Sequence, residues 1–207
     1  MYKRFFKRFF DIAVSFCALP FVGLVILIMA PFIYFEDKGP VFYNATRRGR
    51  NGKNFKMFKL RSMYVNSPNL RNADGSTFNS DKDPRVTKIG RFMRKTSVDE
   101  LPQILNVFLG HMSFVGPRPT LAITPYEQLP EMSKKRLTAR PGITGYAQAY
   151  YRNSIGQEEK FHHDCYYVDN ISFVMDVKVL VQTVKSVLKS ENINTTTEAP
   201  KETVETK

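Results

Sequence analysis

The chain has 207 residues, enough for one globular domain with appendages and for a core that folds without cross-links. With 31 Lys and Arg against 19 Asp and Glu, its formal charge is +12, which points to an anionic partner: nucleic acid, acidic lipid or a phosphorylated substrate. Its two cysteines, Cys17 and Cys165, lie far apart, which argues against a disulfide framework and fits a reducing compartment.

The N-terminus opens with MYKRFFKRFFD, basic and aromatic, and then runs uncharged from Ile12 to Phe35. Roughly two dozen apolar residues suffice to cross a bilayer. A signal peptide has a similar layout, but its apolar core is usually about 7–15 residues. A buried helix of a soluble protein is a third reading, and length favours membrane insertion over both. Lys3, Arg4, Lys7 and Arg8 precede the stretch, while Arg47, Arg48, Arg50, Lys53, Lys56, Lys59 and Arg61 follow it. The positive-inside rule draws both flanks to the cytoplasm. A straight span cannot satisfy that; a re-entrant helix over residues 1–38, dipping into one leaflet and returning, can. Pro20, Gly23 and Pro31 are the expected breaks. Prolines also occur in true spans, so the straight form stays open as the alternative.

Short strands are expected around Val41 to Tyr43 and Phe55 to Phe58, joined through Asn51-Gly52 as a β-hairpin. Residues 65–83, rich in Asn, Ser, Asp and Gly, read as an irregular loop. Ile89, Phe92 and Met93 have helical spacing, which Gly90 weakens. Leu101 to Leu109 reads as a second helix stopped by Gly110, with Leu105, Val107, Phe108 and Leu109 as core. A short charged helix follows Pro125. Phe173 to Lys189 forms a final helix, its apolar face of Val177, Leu180, Val181, Val184, Val187 and Leu188 set against Lys178, Lys185 and Lys189. Such a helix packs on a core or lies at a membrane surface. Residues 191–207 lack apolar mass and read as a disordered tail. The fold class is α+β, mainly helical: an N-terminal re-entrant membrane helix, a small β-hairpin, and membrane-surface amphipathic helices around one cytoplasmic catalytic domain at residues 39–190.

The stretch SVDELPQILNVFLGHMSFVGPRPT places Asp99 beside Glu100 ahead of an apolar run. Ser97-x-x-Glu100 matches a capping box, and acidic residues suit any first helical turn. Pro102 sets the register: counted from Ser97 as N-cap it loses a backbone hydrogen bond, counted from Asp99 it loses none. The spacing therefore predicts a helix beginning at Asp99, where capping alone would explain the acid. Arg91, Arg94, Arg118, Arg140 and Arg152 stand near this pair or near Gly and Pro turns, and arginine suits forked recognition of phosphate oxygens. Each alone reads as surface charge. Carboxylates among arginines beside a membrane segment are better explained by a diphosphate substrate and Mg²⁺, which is typically held by one or two carboxylates plus phosphates. His162, His163 and Cys165 are spaced too tightly for the usual zinc sets.

The segments GPVFY, FKMFKLRSM, DPRVTKIGRFMRKTSVDELPQILNVFLGHMSFVGPRP, RPGITGYAQ and FHHDCYYVDNISFVMDVKVL occur in the order found in bacterial sugar transferases, and up to about Leu188 the chain resembles their small monotopic polyprenyl-phosphate phosphoglycosyl transferases. The resemblance implies a re-entrant helix in one leaflet of the bacterial cytoplasmic membrane, with the catalytic domain at the cytoplasmic face. It implies transfer of a phosphosugar from a UDP-sugar to polyprenyl (undecaprenyl) phosphate, with Mg²⁺ and release of UMP. N-acetylated amino sugars are common cargo in the family, and downstream glycosyltransferases would extend the product. Asp99 matches the family's nucleophile and metal ligand, with Glu100 its partner. Lys59, Arg61, Arg94, Arg118 and Arg140 match basic substrate-binding positions, to which the residue reading adds Arg152. The chain departs from the family at Gly23-Leu24, where Ser-Pro is common, and at Tyr146, where Trp is common.

A free aspartate ionises near about pH 4, so Asp99 needs no base to become a nucleophile. Attack on the sugar-linked phosphorus divides an exchange between two anions into two steps. Glu100 is expected to position metal or acceptor rather than serve chiefly as a base. A nucleic-acid-binding module would explain the charge, but no such motif is present and the apolar N-terminus would go unexplained, so no nucleic-acid partner is expected. An inactive membrane scaffold sits poorly with an intact Asp99-Glu100 pair.

Overall fold

The computed structural model describes residues 1–68, 70, 78, 80, 83–152 and 154–189. Most of the expected loop at 65–83 and the whole expected tail at 191–207 lie outside these residues. A π-helical turn over Tyr2–Phe6 leads into α1, Lys7–Asp37. α1 is a single helical element that runs through Pro20, Gly23 and Pro31. Both prolines lie on its exposed side, and each takes one N–H out of the helix's own hydrogen-bond ladder. A narrow stripe of Asp11, Ser15, Val22, Met29 and Ile33 is buried, while Phe16, Phe21, Leu24, Leu27, Phe32 and Phe35 face outward. The helix is long and apolar enough to cross a membrane.

Both ends of α1 are held by the same body. Lys7 Nζ meets Asp176 Oδ2 at 2.5 Å and the Tyr2 hydroxyl donates to the same oxygen at 2.6 Å. Arg8 donates to the carbonyls of Val107 and Phe108. At the far end Asp37 grips Arg61 with both carboxylate oxygens, and Glu36 accepts from the N–H groups of Lys88 and Ile89. Glu36 thereby caps α2, Lys88–Thr96, alongside the Thr87 hydroxyl, which accepts from Gly90 N.

The hairpin comprises β1, Ala45–Arg48, and β2, Asn54–Met57, paired antiparallel with Arg48 opposite Asn54. The first strand thus sits later than expected. Asn51 and Gly52, both with positive φ (53° and 78°), shape the connection, and it fixes a register in which the polar Ala45–Arg48 pairs despite lacking alternation. Val41 to Tyr43 continues that register only loosely, through a lone bridge from Phe42 to Leu60 and a hydrogen bond from Tyr43 N to Lys59 O. The outer edge of β2 is closed by the buried Asn106 amide, which accepts from Phe58 N and donates to Lys56 O.

α3 covers Gln103–Leu109 and ends at Gly110 (φ 86°). It starts later than expected, with Pro102 at its N-cap, so Asp99 is not the capping residue. Asp99 lies instead in a 3₁₀ turn over Val98–Glu100. Of the four residues expected as core, only Val107 is fully buried; Leu105 and Leu109 are exposed, and Phe108 packs against Phe16 of α1. β3, Ser113–Val115, and β5, Gly142–Thr144, form a parallel pair, while β4, Thr120–Leu121, adds an edge to β1. α4, Glu131–Arg136, α5, Tyr146–Tyr150, α6, Gln157–Asp169, and α7, Phe173–Lys189, complete the fold.

Three apolar clusters hold these parts. Val115, Ala149, Tyr167, Val168 and Val179 join β3 to the last three helices. Met29, Ile33, Leu60 and Met93 fasten α1 to α2, and Phe55, Met57, Val107 and Met112 seat the hairpin on α3. α7 turns all of its valines but Val179 outward. Val177, Leu180, Val181, Val184 and Val187 are exposed, and the helix instead docks through Asp176, Val179, Thr183 and Ser186. Phe173 meets Tyr2 and Phe10, so the outward apolar faces of α7 and α1 adjoin.

Candidate active site

The site forms where the strand leaving β2 crosses the turn before α3. Leu60 N donates to Asp99 O at 2.9 Å, which sets Lys59 beside the two acids. Lys59 Nζ lies 2.8 Å from Asp99 Oδ2 and 3.3 Å from Glu100 Oε1. Asp99 is 1 % exposed. Its Oδ2 accepts no hydrogen bond in spite of the short ionic contact, because the ammonium meets it off-line. A buried, half-satisfied carboxylate oxygen beside a second carboxylate fits a hard cation. Among the described residues no group of three acidic, His or Cys side chains could hold a metal alone, so substrate phosphates would have to complete its coordination.

Arg118 Nη2 approaches Glu100 Oε1 at 3.6 Å, its own side chain more than half exposed. Burial pushes the Glu100 carboxyl up, but the charges of Lys59 and Arg118 outweigh it and bring it down to about 2. Arg118 is held in place from behind: its carbonyl accepts from Arg136 Nη2 at 2.7 Å, and Arg136 is clamped by Asp164 at 2.6 and 3.0 Å. Burial raises the Asp164 carboxyl against the pull of Arg136. Arg94, on α2, donates through Nε to Ser62 Oγ at 3.0 Å. Burial lowers its guanidinium while the nearby carboxylates of Asp99 and Asp83 act against that.

Of the residues expected in the site, Asp99, Glu100, Lys59 and Arg118 are brought together, and Arg94 faces Asp99 from α2. Arg61 and Arg140 are placed elsewhere. Arg61 is 6 % exposed and spends its donors on Asp37 and on the carbonyls of Ile33, Pro40 and Met63, which makes it the anchor for the end of α1. Arg140 donates to Gly110 O, joining Arg8 at the C-terminal end of α3, opposite to the acids. Arg152 follows α5 with a positive φ of 48°. It borders an aromatic group in which Tyr146 stacks on Tyr150 and Tyr151 on His163, with centroids 4.6 and 4.2 Å apart. That group adjoins the Arg118 loop, since a Cβ on Gly145 would meet Gly116 O at 2.3 Å. Ser62, Arg136 and Asp164 carry supporting roles that the sequence reading missed. Only the Arg-to-Asp distance in space betrays the last pair, 28 positions apart in the chain.

The pattern for bacterial sugar transferase matches residues 2–190. The sugar transferase EpsL of Bacillus subtilis is 41 % identical over 193 residues, covering 92 % of this chain and 91 % of EpsL. An undecaprenyl-phosphate galactose phosphotransferase of Salmonella typhimurium is 37 % identical over 206 residues, 91 % of this chain but 42 % of that protein. A UDP-N-acetylgalactosamine-undecaprenyl-phosphate N-acetylgalactosaminephosphotransferase of Aeromonas hydrophila is 35 % identical over 189 residues, 89 % of this chain and 44 % of that protein. The chain thus spans nearly all of EpsL and less than half of the two larger relatives. With a match along almost its whole length, over the Asp99-Glu100 turn and the basic residues around it, the chain belongs to the bacterial sugar transferase family.

Proposed function

We propose that the protein moves a phosphosugar from a UDP-sugar to polyprenyl phosphate, with Asp99 as the transient carrier. The observation that carries this reading is a buried Asp99 whose Oδ2 faces Lys59 and lacks a hydrogen bond, next to Glu100 and Arg118. In the first step an Asp99 oxygen attacks the sugar-bearing phosphorus of the donor. The bond from that phosphorus to the bridging oxygen breaks, UMP leaves with the electron pair, and an aspartyl-phosphosugar remains. In the second step an oxygen of polyprenyl phosphate attacks the same phosphorus and expels the Asp99 carboxylate. No net proton is taken up or released by the protein in either exchange.

Asp99 is covered by Lys59, so the donor diphosphate has to draw that ammonium away from the carboxylate as it binds. This couples substrate entry to exposure of the nucleophile. Arg118, open to solvent on one side, meets the phosphates, and its backing by Arg136 and Asp164 fixes where it points. Glu100, held well below the usual carboxylate range, is a poor base at neutral pH and acts by position and charge. Asp99 and Glu100 would hold Mg²⁺, which supplies neutralisation of phosphate charge. The outward apolar faces of α1 and α7 support seating in one leaflet, with the basic site at the cytoplasmic surface of a bacterial membrane. Galactose and N-acetylgalactosamine transferases among the relatives support a hexose or N-acetylated hexosamine as cargo. The product would serve as the lipid-linked start of a surface glycan.

The test is Asp99→Asn in detergent-solubilised protein with UDP-sugar labelled in the sugar-linked phosphate. The wild-type protein should release UMP in a burst and gain the mass of one phosphosugar on the peptide containing Asp99, and the Asn variant should do neither. Label retained by the variant would overturn the assignment.

A further inference from the structure

The last turn of α1 reaches the charged site through α2. Glu36, next to last in α1 and half-buried, accepts from Lys88 N at 2.5 Å through Oε1 and from Ile89 N at 3.2 Å through Oε2. The first N–H groups of a helix have no partner within it. A local cap is already present, because the Thr87 hydroxyl accepts from Gly90 N at 2.9 Å. Glu36, 52 positions before Lys88 in the chain, therefore adds a tie between two elements rather than a missing cap. α2 has nine residues, about 13 Å of helix, and its other end stands in the site. Arg94 lies in its last turn, Ser97 closes it, and Glu100 N donates to Ser97 O at 3.2 Å in the turn that carries Asp99. Between these ends Met93 is buried in one cluster with Met29 and Ile33 of α1 and with Leu60.

We propose that Glu36 is a positioning residue for the transfer: by fixing the start of α2 on the end of the apolar helix, it sets where the Arg94 guanidinium stands beside Asp99. This rests on the reading of Asp99 given above and adds what aligns its cation. Arg94 donates to Ser62 Oγ at 3.0 Å, two residues beyond Leu60, whose N–H meets Asp99 O. Its charge and that of Asp99 attract each other in the resting protein. During attack the same guanidinium offsets the charge gathering on the phosphoryl oxygens, an interaction that depends on placement. With Glu36 removed, α2 keeps its Thr87 cap and its Met93 packing but loses the tie at its start. A tilt of about 5° displaces one end of such a helix by about 1 Å relative to the other. A misplacement of ~1 Å away from the chemistry can cost on the order of 10²-fold in rate. The Ser62 hydrogen bond retains part of the alignment, so a loss of about tenfold is expected. The membrane-length helix thereby takes part in the reaction without touching substrate.

The experiment measures the UMP burst of the full chain in detergent, its rate constant and its amplitude, as a function of UDP-sugar concentration. Glu36→Ala is expected to lower the rate constant at saturating donor about tenfold, with the half-saturating donor concentration within about twofold of the wild type. Burst amplitude, which counts competent sites, should stay in proportion to folded protein. Glu36→Gln keeps one accepting oxygen for two N–H groups and should lose about threefold; it also serves where the alanine variant does not fold. The deciding measurement is a double-mutant cycle with Arg94→Lys, which keeps the charge and removes the fork. Lys88 and Ile89 lie roughly 8–9 Å along the helix from Arg94, a separation at which independent effects ordinarily add in free energy. If Glu36 acts through Arg94, Arg94→Lys should cost far less on either Glu36 variant than on the wild type, while Arg118→Lys should cost the same on both. A rate constant at the wild-type value in either Glu36 variant, or losses from Glu36 and Arg94 that simply multiply, would overturn the proposal. A fall confined to amplitude would overturn it too, since that is the mark of a purely structural cap. A wild-type protein that gives no burst with any UDP-sugar would instead refute the transferase reading itself.

Discussion

Replacing Lys59 by Met keeps the length and apolar stem of the side chain and removes one charge from between two acids. In the native protein that charge lies 2.8 Å from Asp99 and 3.3 Å from Glu100, with Lys59 and Asp99 side chains 20 % and 2 % exposed. Removing one partner of a buried pair costs about 3–5 kcal/mol, and partial exposure of Lys59 puts the expected loss near the lower end, about 3 kcal/mol. The titration of Glu100 gives a second route. Its net displacement from 4.5 to about 2, equivalent to about 3 kcal/mol, is what Lys59, the larger cationic influence, and Arg118 leave after overcoming the upward push of burial. Both routes give a loss on the order of 2–3 kcal/mol at neutral pH. The sign of the pH dependence follows from the direction of that displacement. A carboxyl lowered in the folded state contributes fully above its unfolded value and loses that contribution as pH falls toward about 2. Lys59→Met should therefore be less stable at pH 7, and its stability should fall less steeply than that of the wild type between pH 4.5 and 2. Denaturant unfolding in detergent across that range, with the Glu100 carboxyl followed by carbon NMR, measures both effects. Equal stability at pH 7, or a Glu100 carboxyl still titrating near 2, would refute the reasoning.

Two substitutions test which residues build the site and which build its frame. Arg61→Ala leaves the Asp37 carboxylate without its bidentate partner and frees the end of α1, so a loss of about 3–5 kcal/mol is expected. A role in substrate binding would instead raise the donor KM in protein of unchanged stability, which melting and UMP-release measurements on the same sample distinguish. Gly90→Ala would set a Cβ 2.1 Å from the carbonyl oxygen of Ser62, the residue whose hydroxyl accepts from Arg94. Backbone on the far side cannot turn away, so about 1–3 kcal/mol of strain is expected despite the better helix propensity of alanine. A rise in melting temperature would refute that contact.

The final helix, Phe173–Lys189, was legible to the residue, because a long stretch of apolar repeats against lysines carries the helical period by itself. The Asn51-Gly52 turn was legible for a similar local reason: its backbone needs two residues that tolerate positive φ. Pro102 located a helix start but could not say that the acids lie before it in a 3₁₀ turn, since a proline at the N-cap and one in the first turn lose no hydrogen bond alike.

By itself the sequence determined that a basic protein with a membrane-length apolar helix carries an Asp-Glu pair ahead of a short helix, and which family it belongs to. Only the tertiary structure decided which of its many cations serve that pair. Lys59 and Arg61 are two residues apart in one extended segment, yet one lies on Asp99 and the other on Asp37. Arg118 reaches Glu100 because a buried ion pair, Arg136 with Asp164, fixes its loop. Charge is a property of composition, whereas its pairing depends on which chain segments folding brings within a few ångströms, and no local pattern encodes that.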